Sequence, residues 1–294
     1  MIFKGCAINI ITPFTDTNEV DFDSLGELVD TYIEIGAKAL ILGRSTGEFY
    51  TMSDNEILEV IDFVLKRVNK RVPVLAQTGL NDTSRSLILS IKAKALGLDA
   101  IILTAPYYSQ GNELGLVSHF KSIALSSAIP VFIDNDPDRT GLNLSASLLE
   151  KLSQIPNIIG LIESSTDLDH LVELAPLINE NFSLISGNDK TILANLAMGA
   201  CGHISVLANI YPRPIFRIYD KFEQGLINEA RSILNDYLKP INLMSLDVNP
   251  IPIKTAMNML GYNAGNFRLP LHPMDPDKAS QIATFIMDNG LEKL

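Results

Sequence analysis

Five groups of side chains could do chemistry: Ser45, Thr46 and Glu48; Tyr107 and Tyr108; the run Asp134 to Thr140; Glu163 to Ser165; and Ser186 to Asp189. Each follows directly on a short apolar run, as Ser205 also does. The set is small, polar and rich in hydroxyls, with Arg44 and Arg139 as cations among it. A guanidinium grips a carboxylate through parallel N–H bonds, so the pattern suits a small anionic ligand such as a carboxylate. The carboxylates Asp134, Asp136, Asp138 and Glu163 could instead hold a hard cation. Yet Asp-Asn-Asp-Pro-Asp also reads as an ordinary polar strand-to-loop junction, and no metal or other cofactor is expected. Lys190 is a possible relocated nucleophile, although it reads better as an exposed residue in the first turn of a helix. His119, His170 and His272 are expected on helices or surface loops, without paired ligand spacing. His203 opens an apolar run and reads as a packed or solvated histidine; Cys201 beside it reads as a small core residue.

The elements that must position these groups are legible as an alternation. Eight short runs rich in β-branched residues read as strands: Ala7–Ile11, Ala39–Leu42, Val72–Ala76, Ala100–Thr104, Val131–Asp134, Ile158–Ile162, Ser183–Ser186 and His203–Val206. Most are apolar throughout, as strands buried on both faces should be. Between them lie amphipathic segments such as Asp54 to Val68 and Ser84 to Leu96, the latter opened by Thr83 as its cap. Eight strand–helix units without a Rossmann glycine fingerprint predict an α/β fold, a (β/α)8 TIM barrel. A doubly wound open sheet shares the same periodicity. After Val206 the pattern is helical over 211–224, 226–245, 250–261 and 275–290. The barrel is therefore expected over 1–224, with a C-terminal helical extension over 225–294 packed upon it. In such a barrel the chemistry sits at the C-terminal ends of the strands, which is where the reactive groups fall.

Composition excludes several classes. The chain of 294 residues is 47% hydrophobic and 19% charged, which rules out disorder and low-complexity repeats. Its 23 basic and 34 acidic residues give a net charge of −11, which would repel phosphate backbones and anionic lipid. Neither nucleic acid nor a membrane is an expected partner. Two cysteines, Cys6 and Cys201, suit a reducing, cytoplasmic setting.

Motifs in register carry a resemblance over Gly5 to about Leu271. They are Thr12-Pro13-Phe14, Thr46-Gly47-Glu48, Pro106-Tyr107-Tyr108, Pro137 to Gly141, Pro156 to Gly160, Gly202 to Val206 and Asn249 to Lys254. Together these resemble the dihydrodipicolinate synthase / N-acetylneuraminate lyase family of pyruvate-dependent aldolases. The resemblance implies a TIM barrel assembled as a tetramer, or a dimer, and a 2-oxo acid as ligand. It also implies a lysine at the end of the sixth strand, in Gly-x-Lys-(Glu/Asp), whose amine forms an imine with pyruvate. The corresponding residues are Gly160-Leu161-Ile162-Glu163, so Ile162 stands at the lysine position. The tyrosine expected to relay protons is Asp134, and Arg44 replaces a glycine beside the hydroxyl pair Ser45 and Thr46. Arg44 is expected either to pair with Asp134 across the mouth or to clamp an acidic ligand. By the same resemblance, Tyr108 is lent across a subunit interface, Arg139 holds a substrate carboxylate, and the backbone of Gly187 and Ile204 lines the pyruvate pocket. Lys254 falls in a family motif away from the pocket and is expected to be structural. Some relatives are inhibited by lysine near Asn81 and Tyr107; Arg85 is expected to repel that ammonium and abolish the feedback. Three functions remain open: a non-covalent binder of a small carboxylate, a lyase or synthase using a relocated lysine or a metal, or an inactive partner of an active paralogue.

Overall fold

In the computed structural model, which describes residues 1–294, eight parallel strands close into a barrel in chain order. They are β1 (Gly5–Asn9), β2 (Leu40–Leu42), β3 (Val74–Gln77), β4 (Ala100–Thr104), β5 (Val131–Asn135), β6 (Ile158–Glu163), β7 (Ser183–Ser186) and β8 (Gly202–Ser205). Around and between them run α1 (Phe22–Ile35), α2 (Asp54–Val68), α3 (Thr83–Ala95), α4 (Glu113–Ser127), α5 (Pro137–Thr140), α6 (Ala146–Ser153), α7 (Leu168–Leu174), α8 (Ile192–Ala197) and α9 (Pro212–Glu223). Three more helices complete the chain: α10 (Ile227–Leu243), α11 (Ile251–Met259) and α12 (Pro276–Asp288). The closed barrel, not an open sheet, is thus the architecture. No helix is long and apolar enough to cross a membrane.

All eight expected strands form; Ala100–Thr104 and Ser183–Ser186 match their expected bounds, and the ends of the others shift by at most two residues. β1 starts at Gly5 because Gly5 pairs with Gly202 of β8; hydrogen bonding sets its extent, while Ile10 and Ile11 stay buried beyond the ladder. α2 spans its expected residues and opens with a reciprocal cap between Ser53 and Glu56. α3 starts at Thr83, so the cap is Asp82, whose carboxylate accepts the Arg85 N–H at 2.6 Å.

The strands carry two apolar faces. Inward, Ala7, Ile41, Leu75, Ile102, Phe132 and Ile162 belong to a small core that Phe3 closes from below. Gly160 makes room for Phe132, since a Cβ there would lie 2.7 Å from the ring. Outward, a single larger core runs under the surrounding helices and continues into Ile241, Ile253, Met257 and Phe285 of the last three. Those helices therefore pack on the barrel and share its core.

Candidate functional site

The C-terminal edge of the barrel opens into a cleft of about 560 Å³. Its wall includes Arg44, Ser45, Asp136, Arg139, Gly187 and Asn249. A second, smaller cavity of about 370 Å³ adjoins it and shares Ser45, Arg139 and Asn249.

The turn after β2 is built by close backbone approach. The Gly47 N–H donates to the Gly43 carbonyl at 2.8 Å, and a Cβ on Gly47 would lie 2.6 Å from Gly43. Arg44 follows with φ +52°, a left-handed conformation that costs a side-chain-bearing residue about 1 kcal/mol. That turn aims the guanidinium across the mouth. Its Nη2 donates to Asp134 Oδ1 at 2.8 Å and to Ser164 Oγ at 2.9 Å, and its Nε donates to Asp134 Oδ2 at 3.2 Å. Arg44 and Asp134 are only 5% and 3% exposed, so the pair is a buried, two-pronged ion pair. Of the two roles expected for Arg44, the structure contains the pairing. Burial pushes the Asp134 carboxyl above its usual range, against the pull of Arg44.

Ile162 lies beside Asp134 in the β5–β6 register and is fully buried in the inner core. Its Cγ2 is 2.9 Å from where a Cβ on Gly187 would stand, so Gly187 and Ile162 meet at the cleft floor. The Ile204 side chain also lies in the inner core, not on the cleft wall. Thr46 is wholly buried; its hydroxyl takes N–H donors from Asn9 at 2.7 Å and Asn249 at 2.9 Å. The Asn249 amide also reaches Ser45 Oγ at 3.0 Å. Arg139 stands at the mouth, where Nη2 donates to the Asn249 carbonyl at 3.4 Å.

Asp136 occupies the N-cap position of α5 without capping it. Its nearest cation is Arg44 at 3.9 Å. Burial, followed by the charge of Asp134, raises its carboxyl to about 6, against Arg44 and Arg139. Behind β6, Glu163 Oε1 and Oε2 accept the Asn135 amide and Oε1 accepts the Ser165 N–H, while His170 Nε2 lies 3.4 Å from Oε2. The hydrogen bond with Glu163 raises His170 above its ordinary value.

His119 and His170 lie on helices, one of the two expected placements, and both are buried; His119 meets the Thr83 hydroxyl at 2.9 Å. His203 is packed; its Nε2 lies 2.8 Å from Asp189 Oδ1, at the cleft wall. Cys201 is half-buried and packs against the edge of the inner core, not within it; Cys6 is the buried thiol. Lys190 is exposed in a 3-10 turn, yet its side chain borders the cleft. No cluster of histidine, cysteine and carboxylate side chains is arranged to hold a metal. Arg85 is joined to Asp54 at 2.7 Å, so the repulsion expected from it is offset by a carboxylate that sequence spacing did not place there. Tyr108 is 94% exposed with φ +68°. Lys254 is fully buried and structural: its Nζ donates to Glu48 at 2.8 Å, to the Asn266 carbonyl at 2.6 Å and to the Thr12 carbonyl at 3.2 Å.

Sequence reasoning missed Asn9, Asn249 and His170. Asn9 left a signal: it stands two residues after inward-facing Ala7, so it must also face inward, a polar group closing an apolar strand.

The dihydrodipicolinate synthetase family model matches residues 2–288. The chain belongs to that family. It is 41% identical to a 4-hydroxy-tetrahydrodipicolinate synthase of Caldicellulosiruptor bescii over 290 residues, covering 99% of this chain and 98% of that one. A Clostridium acetobutylicum protein named 4-hydroxy-tetrahydrodipicolinate synthase 1 is 40% identical, at 99% coverage of both. Among solved structures, dihydrodipicolinate synthase from Aquifex aeolicus superposes with a TM-score of 0.95 at 35% identity, covering 98% of this chain and 99% of that one. The chloride-inhibited synthase of Acinetobacter baumannii, complexed with pyruvate, gives 0.94 at 33% identity, covering 99% and 100%.

Proposed function

We propose that this family member binds a small carboxylate-bearing ligand at the barrel mouth without forming the lysine–pyruvate imine, and so is not a true dihydrodipicolinate synthase. The observation that carries this reading is Ile162, buried beside the Arg44–Asp134 pair at the position the resemblance gives to the lysine. Imine formation needs an uncharged amine to attack a ketone carbon, and a hydrocarbon side chain has no lone pair to offer. A proton relay needs a group free to turn; the Asp134 carboxylate is held on both oxygens by Arg44. What the mouth still offers is recognition. Arg139 keeps an accessible guanidinium at the rim, while Ser45 and Thr46 hold their hydroxyls through Asn9 and Asn249.

The same reading makes the chain a cytoplasmic homotetramer or homodimer. Its support is Tyr108, a large side chain held almost wholly in solvent on a left-handed backbone, as an interface residue would be before assembly. The test is borohydride trapping with pyruvate and a panel of 2-oxo acids, read by intact mass and peptide mapping beside a family member that has the lysine. The expected result is an adduct on the control and none here. An adduct on any lysine, with Lys190 the first to examine, would replace this reading with that of an active aldolase-type enzyme.

A further inference from the structure

Resting on the carboxylate reading above, we propose that the cleft selects an amino acid over the 2-oxo acid of the same carbon skeleton. Asp136 faces the ammonium group and Arg139 the carboxylate. Arg44 gives three of its five N–H donors to Asp134 and Ser164, and its charge is matched by Asp134. Of the four cleft carboxylates, Asp189 is taken by His203 and the Leu207 N–H, and Asp247 by Lys278 at 3.4 Å, while Asp138 is unpaired but exposed to solvent. Asp136 alone is unpaired and half-buried: its carboxylate accepts no hydrogen bond, does not cap α5, and has only the Arg44 guanidinium, already held by Asp134, at 3.9 Å.

A second acceptor on the same wall is also without a donor. Asn9 is 1% exposed, its amide nitrogen donates to Thr46, and its Oδ1, like that of Asn249 on the same wall, has no partner. A buried acceptor without a donor costs about 1–3 kcal/mol unless a ligand supplies one. A 2-oxo acid presents only oxygens, so against Asp136 and Asn9 it would set acceptor against acceptor. An ammonium group presents three N–H donors and the charge that Asp136 lacks. Arg139 lies three residues after Asp136 on the single turn of α5, hence on its neighbouring face, and no ion pair joins the two. A ligand bearing both charges can meet both residues at once, in a cleft roomy enough for a five-carbon skeleton.

Calorimetry on the full chain with two matched sets tests this: glutamate, 2-hydroxyglutarate and 2-oxoglutarate; alanine, lactate and pyruvate. The expected order in at least one set is amino, then hydroxy, then oxo, with the amino acid about tenfold tighter than the oxo acid, the scale of one charge-assisted hydrogen bond. Asp136→Asn should remove that preference by weakening the amino acid and tightening the oxo acid, while Arg139→Ala should weaken every member of the set. Equal or tighter oxo-acid binding in the unaltered chain, or a preference that survives Asp136→Asn, overturns the inference and leaves the carboxylate reading standing. Measurable binding of no member of either set overturns both. The ranking in the unaltered chain needs no variant, so it decides the matter even where a substitution fails to fold.

Discussion

Two buried cation–carboxylate pairs hold this molecule at different places, and they differ in kind. Lys254 and Glu48 join α11 to the turn after β2. The ammonium there is closed on all sides: three oxygens accept from it, and the rings of Phe14 and Phe267 lie 4.7 and 5.2 Å away. Arg44 and Asp134 also form a buried pair, yet they border a cleft, sit on a strained backbone, and have a further carboxylate, Asp136, standing unpaired beside them. In the first arrangement the ammonium is fully satisfied and only Glu48 Oε2 lacks a donor; in the second a whole carboxylate, Asp136, is left without a hydrogen bond. An incomplete polar group next to a cavity is what a ligand can complete, whereas a closed one can only hold structure.

The comparison can be broken, or sharpened, by experiment. The largest effect is expected from Lys254→Met, which leaves Glu48 charged and buried; urea unfolding should show a loss of about 3–5 kcal/mol, most of it regained by adding Glu48→Gln. Arg44→Gly should cost less, about 2–3 kcal/mol, because the stranded Asp134 is partly offset by relief of the left-handed backbone at Arg44. A greater loss for Arg44 than for Lys254 would reverse the distinction between the two pairs. Asp136→Asn should act in the opposite direction. The Asp136 carboxyl is raised to about 6, so the folded chain binds its proton more tightly than the unfolded chain does. Its contribution to stability therefore falls as pH rises from about 4 to about 6. At pH 7.5 the variant should be more stable by about 1–2 kcal/mol, the value allowing for solvent screening, with no gain at pH 3.5. A variant less stable at pH 7.5 would mean that Arg44 needs Asp136 as well as Asp134. The smallest effect is expected at Tyr108: Tyr108→Ala should leave the unfolding free energy of the dilute monomer within about 0.5 kcal/mol, while sedimentation registers weakened assembly.

The alternation of eight apolar runs with amphipathic segments determined a parallel α/β fold, because strands buried on both faces need a helix between each pair, but it left a doubly wound sheet open; the pairing of β1 with β8 decided for the barrel. The same text determined that Ile162 carries no amine and that Asp134 and Arg139 follow a strand end, since residue identity and strand edge are local properties. That Arg44 would reach Asp134, 90 positions away, was legible only as one of two options. The choice between a partner and a ligand depends on where a left-handed turn aims a long side chain. The partners of Asn249, Lys254 and His170 became visible only through the fold. Each lies at a distance in sequence from what it touches, and whether a polar group ends up satisfied is decided by neighbours that only closure of the barrel brings near. Asn9 shows the boundary most clearly: its inward direction follows from strand periodicity, but its unpartnered oxygen follows from the packing of Thr46 and the cleft around it.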